Sequence, residues 1–208
     1  FAVDAQKVTP LPESMSFDEG AMIEPLAVAV HAVRRAGDME GKKIAVLGAG
    51  PIGILVAQAA KGMGAESVLI TDVSDVRLQK AKECGADFSV NFGPDKADVI
   101  YDCAGNNITM GQAIQYARKG STIILVAVFA GPGKLDLAVL NDHELDLNTS
   151  MMYRNEDYVK AIQLVEEGKV HLAPLVSKHF AFREYLEAYR YIDANRETTM
   201  KVIINVQE

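Results

Sequence analysis

Two features of the sequence have residue types and spacing suited to chemistry. The run Gly48-Ala49-Gly50-Pro51-Ile52-Gly53 fits the pattern G-x-G-x-x-G, and Asp72 follows Gly53 by 19 positions. The glycine pattern alone is weak. Placed between a strand and a helix, with an acid closing the next strand, it predicts a cradle for a pyrophosphate. Gly48 allows the tight turn, Gly50 lets backbone approach the phosphates, and Gly53 permits close helix–strand packing while the helix N-terminus faces the negative charge. Pro51 suits the first helical turn, and Ile52 opens the apolar stripe of that helix. Asp72 can accept hydrogen bonds from the ribose 2′ and 3′ hydroxyls and repel a 2′-phosphate, so NAD is expected over NADP. Arg77, one helical turn further on, weighs the other way, because arginine accommodates such a phosphate. A solvated helix face explains Arg77 equally well.

Two blander or rival readings use the same residues. An ordinary βα turn also needs glycine. A class I methyltransferase pairs a glycine-rich first turn with an acid ending its second strand. Its glycine spacing is tighter, without Pro51 and Gly53 placed for a pyrophosphate.

The elements that must hold these residues show as periodicity. An apolar helix is expected over 17–36 and a strand over 42–47. A helix carrying Ile52, Val56, Ala59, Ala60 and Met63 comes next, then a second strand over 67–71 that closes on Asp72. Ser74 should cap a helix through Cys84, which Gly85 terminates. A short strand at 88–91 and another at 98–102 precede Cys103-Ala104-Gly105. A helix over 109–119 stopped by Gly120, a β-rich run at 121–128 and a sixth strand at 145–152 follow. Asn155 should cap a helix ending before Gly168. The tail offers a run at 175–182, a helix with Phe182, Tyr185, Leu186, Tyr189 and Ile192 on one side, and a closing strand at 201–206. Strands alternating with helices predict an α/β fold: a Rossmann doubly wound parallel sheet flanked by helices, with a remnant of a second domain. One connection is too short. The six residues after Asn91 reach roughly 20 Å, less than a parallel crossover requires. Either the 88–91 strand is rudimentary or residues between Asn91 and Asp98 are missing.

Composition narrows the function classes. Of 208 residues, 49% are hydrophobic, which suits a compact core and excludes disorder. The formal charge of −7 lacks the basic footprint of a nucleic-acid partner. No apolar run approaches the roughly 20 residues of a membrane span, so a cytoplasmic protein is expected. Cys84 and Cys103 are too few for a disulfide framework and are expected to be reduced core thiols, with a reactive Cys103 as the alternative. His31 on an apolar helix is expected to pack, His143-Glu144 to form a loop pair, and His171 and His179 lack ligand spacing. No Gly-x-Ser-x-Gly elbow supports hydrolase chemistry.

Several segments together resemble the medium-chain dehydrogenase/reductase superfamily over nearly the whole length. They are Glu24-Pro25-Leu26-Ala27-Val28 with His31-Ala32, Val46-Leu47 leading into the glycine run, Asp72 with Arg77-Leu78, Gly85-Ala86-Asp87, and Asp102-Cys103-Ala104-Gly105. The Glu-Pro-Leu segment, the Met152-Tyr153-Arg154 neighbourhood and the stretch from Gly168-Lys169-Val170 to Pro174-Leu175-Val176 are most similar to its zinc-dependent sorbitol (polyol) and alcohol dehydrogenase branch.

That resemblance implies a catalytic zinc that polarises a substrate hydroxyl and lowers its pKa, the alkoxide then delivering hydride to NAD. By the same resemblance, backbone near Val126 and Val128 faces the nicotinamide end, and Cys103, Ala104 and Gly105 the adenosine half. Tyr153 and Arg154 are candidates to reach substrate or nicotinamide, a surface arginine being an equally good reading of Arg154. The family's zinc-binding Cys, Gly-His-Glu motif and four-cysteine lobe have no counterpart here. Only Glu24 matches a metal-side position, and one carboxylate cannot build a tetrahedral site. The expectation is cofactor binding without turnover, with no zinc held by this chain. Residues 1–16 would be a remnant or linker, 17–168 an NAD-binding domain, and 169–208 a segment returning to an absent catalytic domain. The 201–206 strand, expected without its proper sheet partners, points to a homo-oligomer. A stand-alone dinucleotide-binding or regulatory module and a zinc-free reductase of the same superfamily are the alternatives.

Overall fold

The protein is described by a computed structural model covering residues 2–85 and 96–207. The strand expected at 88–91, the short connection after it and Ala86-Asp87 lie outside the described residues.

A single 3₁₀ turn, Ala5–Lys7, precedes α1 (Phe17–Arg35). Ser16 starts this helix by a reciprocal cap: its hydroxyl accepts the Glu19 amide at 3.2 Å, and the Glu19 carboxylate accepts the Ser16 amide at 2.8 Å. Strands and helices then alternate as β1 (Lys43–Leu47), α2 (Pro51–Gly62), β2 (Ser67–Thr71), α3 (Asp75–Glu83), β3 (Ala97–Asp102), α4 (Asn107–Tyr116), β4 (Ala117–Leu125), α5 (Leu137–Asp142), β5 (Asp146–Thr149) and α6 (Asn155–Glu166). The five strands pair in parallel in the order β2-β1-β3-β4-β5. Both faces are covered. Ile44 and Val46 of β1 pack in a core with Leu26, Val30, Ile54 and Leu164, while Ala45 and Leu47 pack with Ile100, Ile114 and Ile123 on the other face. Burial on both sides explains why β1 is apolar at consecutive positions instead of alternating. Each such Leu, Ile or Val contributes about 1.5–3 kcal/mol by leaving water.

The tail folds as β6 (Val176–Ala181), α7 (Tyr185–Ala194) and β7 (Lys201–Asn205). The closing strand β7 pairs in parallel with β6 in a two-stranded sheet separate from the main one. Val170, Leu172 and Leu175, just before β6, belong to the main core. Gln58 of α2 grips this segment with its side-chain amide, accepting the His171 amide at 2.7 Å and donating to the His171 carbonyl at 3.3 Å.

Other boundaries differ from the sequence reading for physical reasons. Asn106 caps α4 by accepting the Ile108 and Thr109 amides, so that helix starts earlier than 109. It ends at Tyr116, and Ala117 pairs with Ala97, so Gly120 sits within β4 where the register shifts instead of stopping a helix. The strand ends at Leu125, short of 128, because Val126 and Ala127 both turn their amides to the Asp102 carbonyl, each at 3.0 Å. Arg154, not Asn155, is the N-cap residue of α6. Among the described residues no helix is long and apolar enough to cross a membrane.

Candidate functional site

In the five-strand order, β1 and β3 are neighbours whose following segments leave the carboxyl edge in different directions. Open α/β sheets hold ligands at that switch point. The glycine run lies there. Gly48 follows β1 with φ +100°, a conformation glycine alone adopts easily, and its amide donates to the Thr71 carbonyl at 2.7 Å. A Cβ on Gly53 would stand 1.9 Å from the Gly48 carbonyl oxygen, a backbone atom that cannot swing aside. A Cβ on Gly50 would meet nothing within 4 Å, so the chain there borders open space. The first backbone bond of α2 runs from the Ile54 amide to the Gly50 carbonyl at 3.0 Å, leaving the amides of Ile52 and Gly53 ahead of the helical ladder. Pro51 has no amide to leave unpaired. The result is a short turn whose leading amides lie outside the helical ladder, at the positive end of a helix dipole.

Asp72 closes β2 against the same turn. One carboxylate oxygen accepts the Ala49 amide at 2.7 Å, and the other accepts the Ser74 amide at 2.9 Å. Arg77 places a guanidinium nitrogen 3.9 Å from Asp72, and its other terminal nitrogen donates to the Arg196 carbonyl at 3.3 Å. Arg77 is therefore held beside the acid.

The end of β3 forms the opposite wall. Asp102 is fully buried, and one of its carboxylate oxygens accepts the Ala104 and Gly105 amides, each at 3.1 Å. A Cβ on Gly105 would stand 2.7 Å from the Ala127 side chain, so residues 103–105 and 126–128 touch. Val126 is half-buried in this wall, whereas Val128 is exposed. Burial first, then the charge of Asp102, pushes the Cys103 thiol well above the ordinary range, which favours the expected reduced core thiol.

Tyr153, Arg154 and Tyr158 form a second neighbourhood, with the charge of Glu24 acting on Tyr158. Glu24 is exposed on α1. Tyr153 and Tyr158 meet edge to face with centroids 4.9 Å apart. Burial first, then the Tyr153 hydroxyl and the charge of Glu24, raises the Tyr158 phenol pKa. A cavity of about 490 Å³ opens here, lined by Lys7, Thr9, Tyr153, Arg154 and Tyr158 among others.

Local sequence patterns do not disclose a polar cluster that joins α1 to α6. His31, expected simply to pack, hydrogen-bonds with the Asp157 carboxylate at 2.8 Å, and Arg34 donates to the same carboxylate at 2.8 Å. No local spacing signals that meeting, since the partners lie 126 and 123 positions apart. His143-Glu144 is a turn, with Glu144 at φ 52°. Among the described residues no group of three or more His, Cys, Asp or Glu side chains is placed to hold a metal ion.

The zinc-binding dehydrogenase family model matches residues 51–167, more than half of the chain. The chain is 34% identical over 213 residues to sorbitol dehydrogenase 1 of Saccharomyces cerevisiae, covering 93% of this chain and 60% of that protein. It is 37% identical over 194 residues to sorbitol dehydrogenase of Ovis aries, covering 86% of this chain and 54% of that protein. An alcohol dehydrogenase from Escherichia coli CFT073, solved in complex with NADH, superposes with a TM-score of 0.87 at 26% identity over 96% of this chain and 63% of that one. The chain thus spans little more than half the length of the curated relatives it matches.

Proposed function

The chain belongs to the zinc-binding dehydrogenase family, in its medium-chain polyol dehydrogenase branch, and from that premise we propose that it binds NAD at the carboxyl edge of its five-stranded sheet. In this reading it is the nucleotide-binding portion of an enzyme that moves hydride from a secondary alcohol to NAD.

The observation that carries the reading is the glycine turn. A Cβ on Gly53 would strike the Gly48 carbonyl whereas one on Gly50 would meet nothing, which supports a close backbone approach by a ligand at Gly50. The diphosphate would lie on the amides of Ile52 and Gly53, and Asp72 would take the adenosine ribose hydroxyls. Asp72 disfavours a 2′-phosphate at that place, which supports NAD over NADP. Residues 103–105 and the backbone near Val126 and Val128 would flank the dinucleotide. Tyr153 and Arg154 would stand toward substrate. NAD, when bound, supplies the hydride acceptor.

Zinc does not fit the described residues. Glu24 has no set of neighbouring donors, and a tetrahedral site needs three protein ligands at least. We therefore propose cofactor binding without alcohol turnover by this chain on its own. An NADH fluorescence titration followed by a polyol oxidation assay with added zinc tests both parts. Enhanced NADH emission without new NADH formation is expected; zinc-dependent turnover would overturn the second part.

A further inference from the structure

We propose that Asp157 is a positioning residue that fixes the Tyr153 turn against α1, and so sets where Tyr153 stands relative to Glu24. The inference deepens the reading above, because it assumes that Tyr153 faces the reacting end.

Asp157 is the third residue of α6 and is wholly buried. An acid at this helical position commonly caps the helix from the surface, where its charge is hydrated. Here its solvation has been replaced by directed donors. One carboxylate oxygen accepts the Arg154 backbone amide at 2.7 Å and meets His31 Nδ1 at 2.8 Å; the other accepts Arg34 at 2.8 Å. A buried carboxylate costs several kcal/mol unless such partners surround it. Apolar contact alone would hold two helices together without fixing their rotation, whereas charge-assisted hydrogen bonds are directional.

The same end of α1 grips the segment twice more. Arg34 also donates to Glu156 at 3.0 Å, and Arg35 donates to the Thr149 carbonyl at 3.0 Å. Between these anchor points the backbone passes through Met152 at φ 57°, a left-handed conformation that an unbranched non-glycine residue keeps only when its surroundings over-determine it. Tyr153 follows directly and lies edge-on to Tyr158. Glu24 sits two helical turns before His31 on α1. The carboxylate of Asp157 therefore joins the helix carrying Glu24 to the turn carrying Tyr153.

The test compares wild type, Asp157→Asn and Leu164→Ala by NMR of the tyrosine rings, with and without NAD. Leu164 is a fully buried residue of the same helix and controls for general loosening. Arg34→Gln, at an exposed position, removes one donor and serves if Asp157→Asn does not fold. Asp157→Asn or Arg34→Gln is expected to shift the Tyr153 and Tyr158 ring resonances and abolish their mutual NOE, while NAD affinity stays within about twofold. Leu164→Ala should melt earlier yet keep that NOE. Unchanged rings in both polar variants, or equal loss in Leu164→Ala, would overturn the proposal. Failure of the wild-type chain to bind NAD would instead remove the cofactor reading and leave the ring comparison intact.

Discussion

The carboxylate of Asp72 accepts the backbone amide of Ala49 at 2.7 Å, tying the end of β2 to the glycine turn after β1. The group assigned to the sugar is thus also a strut of the phosphate cradle. Asp72→Ala should weaken NAD binding by about 10- to 100-fold, since hydrogen bonds to a charged group contribute about 1.5–3 kcal/mol. NADP should lose less, because Arg77 remains in place. Calorimetry with both nucleotides reads the two affinities, and a wider preference for NAD in the variant would contradict the assignment.

Two glycines in one turn should respond oppositely to a methyl group. Gly53→Ala drives a Cβ into a backbone oxygen and should destabilise the fold by about 3 kcal/mol or more. Gly50 has φ −72° and ψ 178°, which alanine adopts freely, and its Cβ would meet nothing. Gly50→Ala should melt near wild type yet bind NAD at least about tenfold more weakly, because the methyl occupies the phosphate approach. Thermal melts paired with NAD titrations separate these outcomes.

Neither cysteine should behave as a nucleophile. Burial pushes the Cys84 thiol up to about 11 and raises Cys103 further, so little thiolate exists at neutral pH. Iodoacetamide at pH 7.5 should label both positions slowly in the folded chain and rapidly after denaturation. Rapid native labelling at Cys103 would revive the thiol as a functional group.

Asp98 should contribute an acid-sensitive part of the stability. Its burial alone would raise the carboxyl pKa, but the Lys43 amide at 2.9 Å, Arg118 at 2.8 Å and the charge of Lys42 together hold it below the ordinary range. A depressed folded value means that the stabilisation is complete above the unfolded pKa of about 3.9 and is lost as pH falls through the folded one. Asp98→Asn should cost about 1 kcal/mol at pH 7 and flatten the acid limb of a denaturation curve. An unchanged limb would show the pair to be energetically idle.

The parts of the fold that the sequence disclosed are those whose signals are local. Gly48, Gly50 and Gly53 announce a turn because their spacing is contained in six residues, and Asp72 stands next to that turn because β2 pairs with β1. The end of β4 at Leu125 is not legible in the sequence, because Val126 is as β-prone as Ile124. What ends the strand is the Asp102 carbonyl, a partner on another strand. Gly120 misled in the same way, as a glycine at a register shift looks like a helix stop. The Asp157 carboxylate was invisible for a stronger reason: His31 and Arg34 reach it only after α1 and α6 have packed.

Calorimetric titration of the chain with NAD, alongside S-adenosylmethionine, tests most directly whether the turn from Gly48 to Gly53 binds a dinucleotide. Saturable one-to-one binding of NAD and no heat from S-adenosylmethionine are expected. Binding of S-adenosylmethionine, or silence toward NAD at millimolar concentration, would contradict dinucleotide binding at that turn.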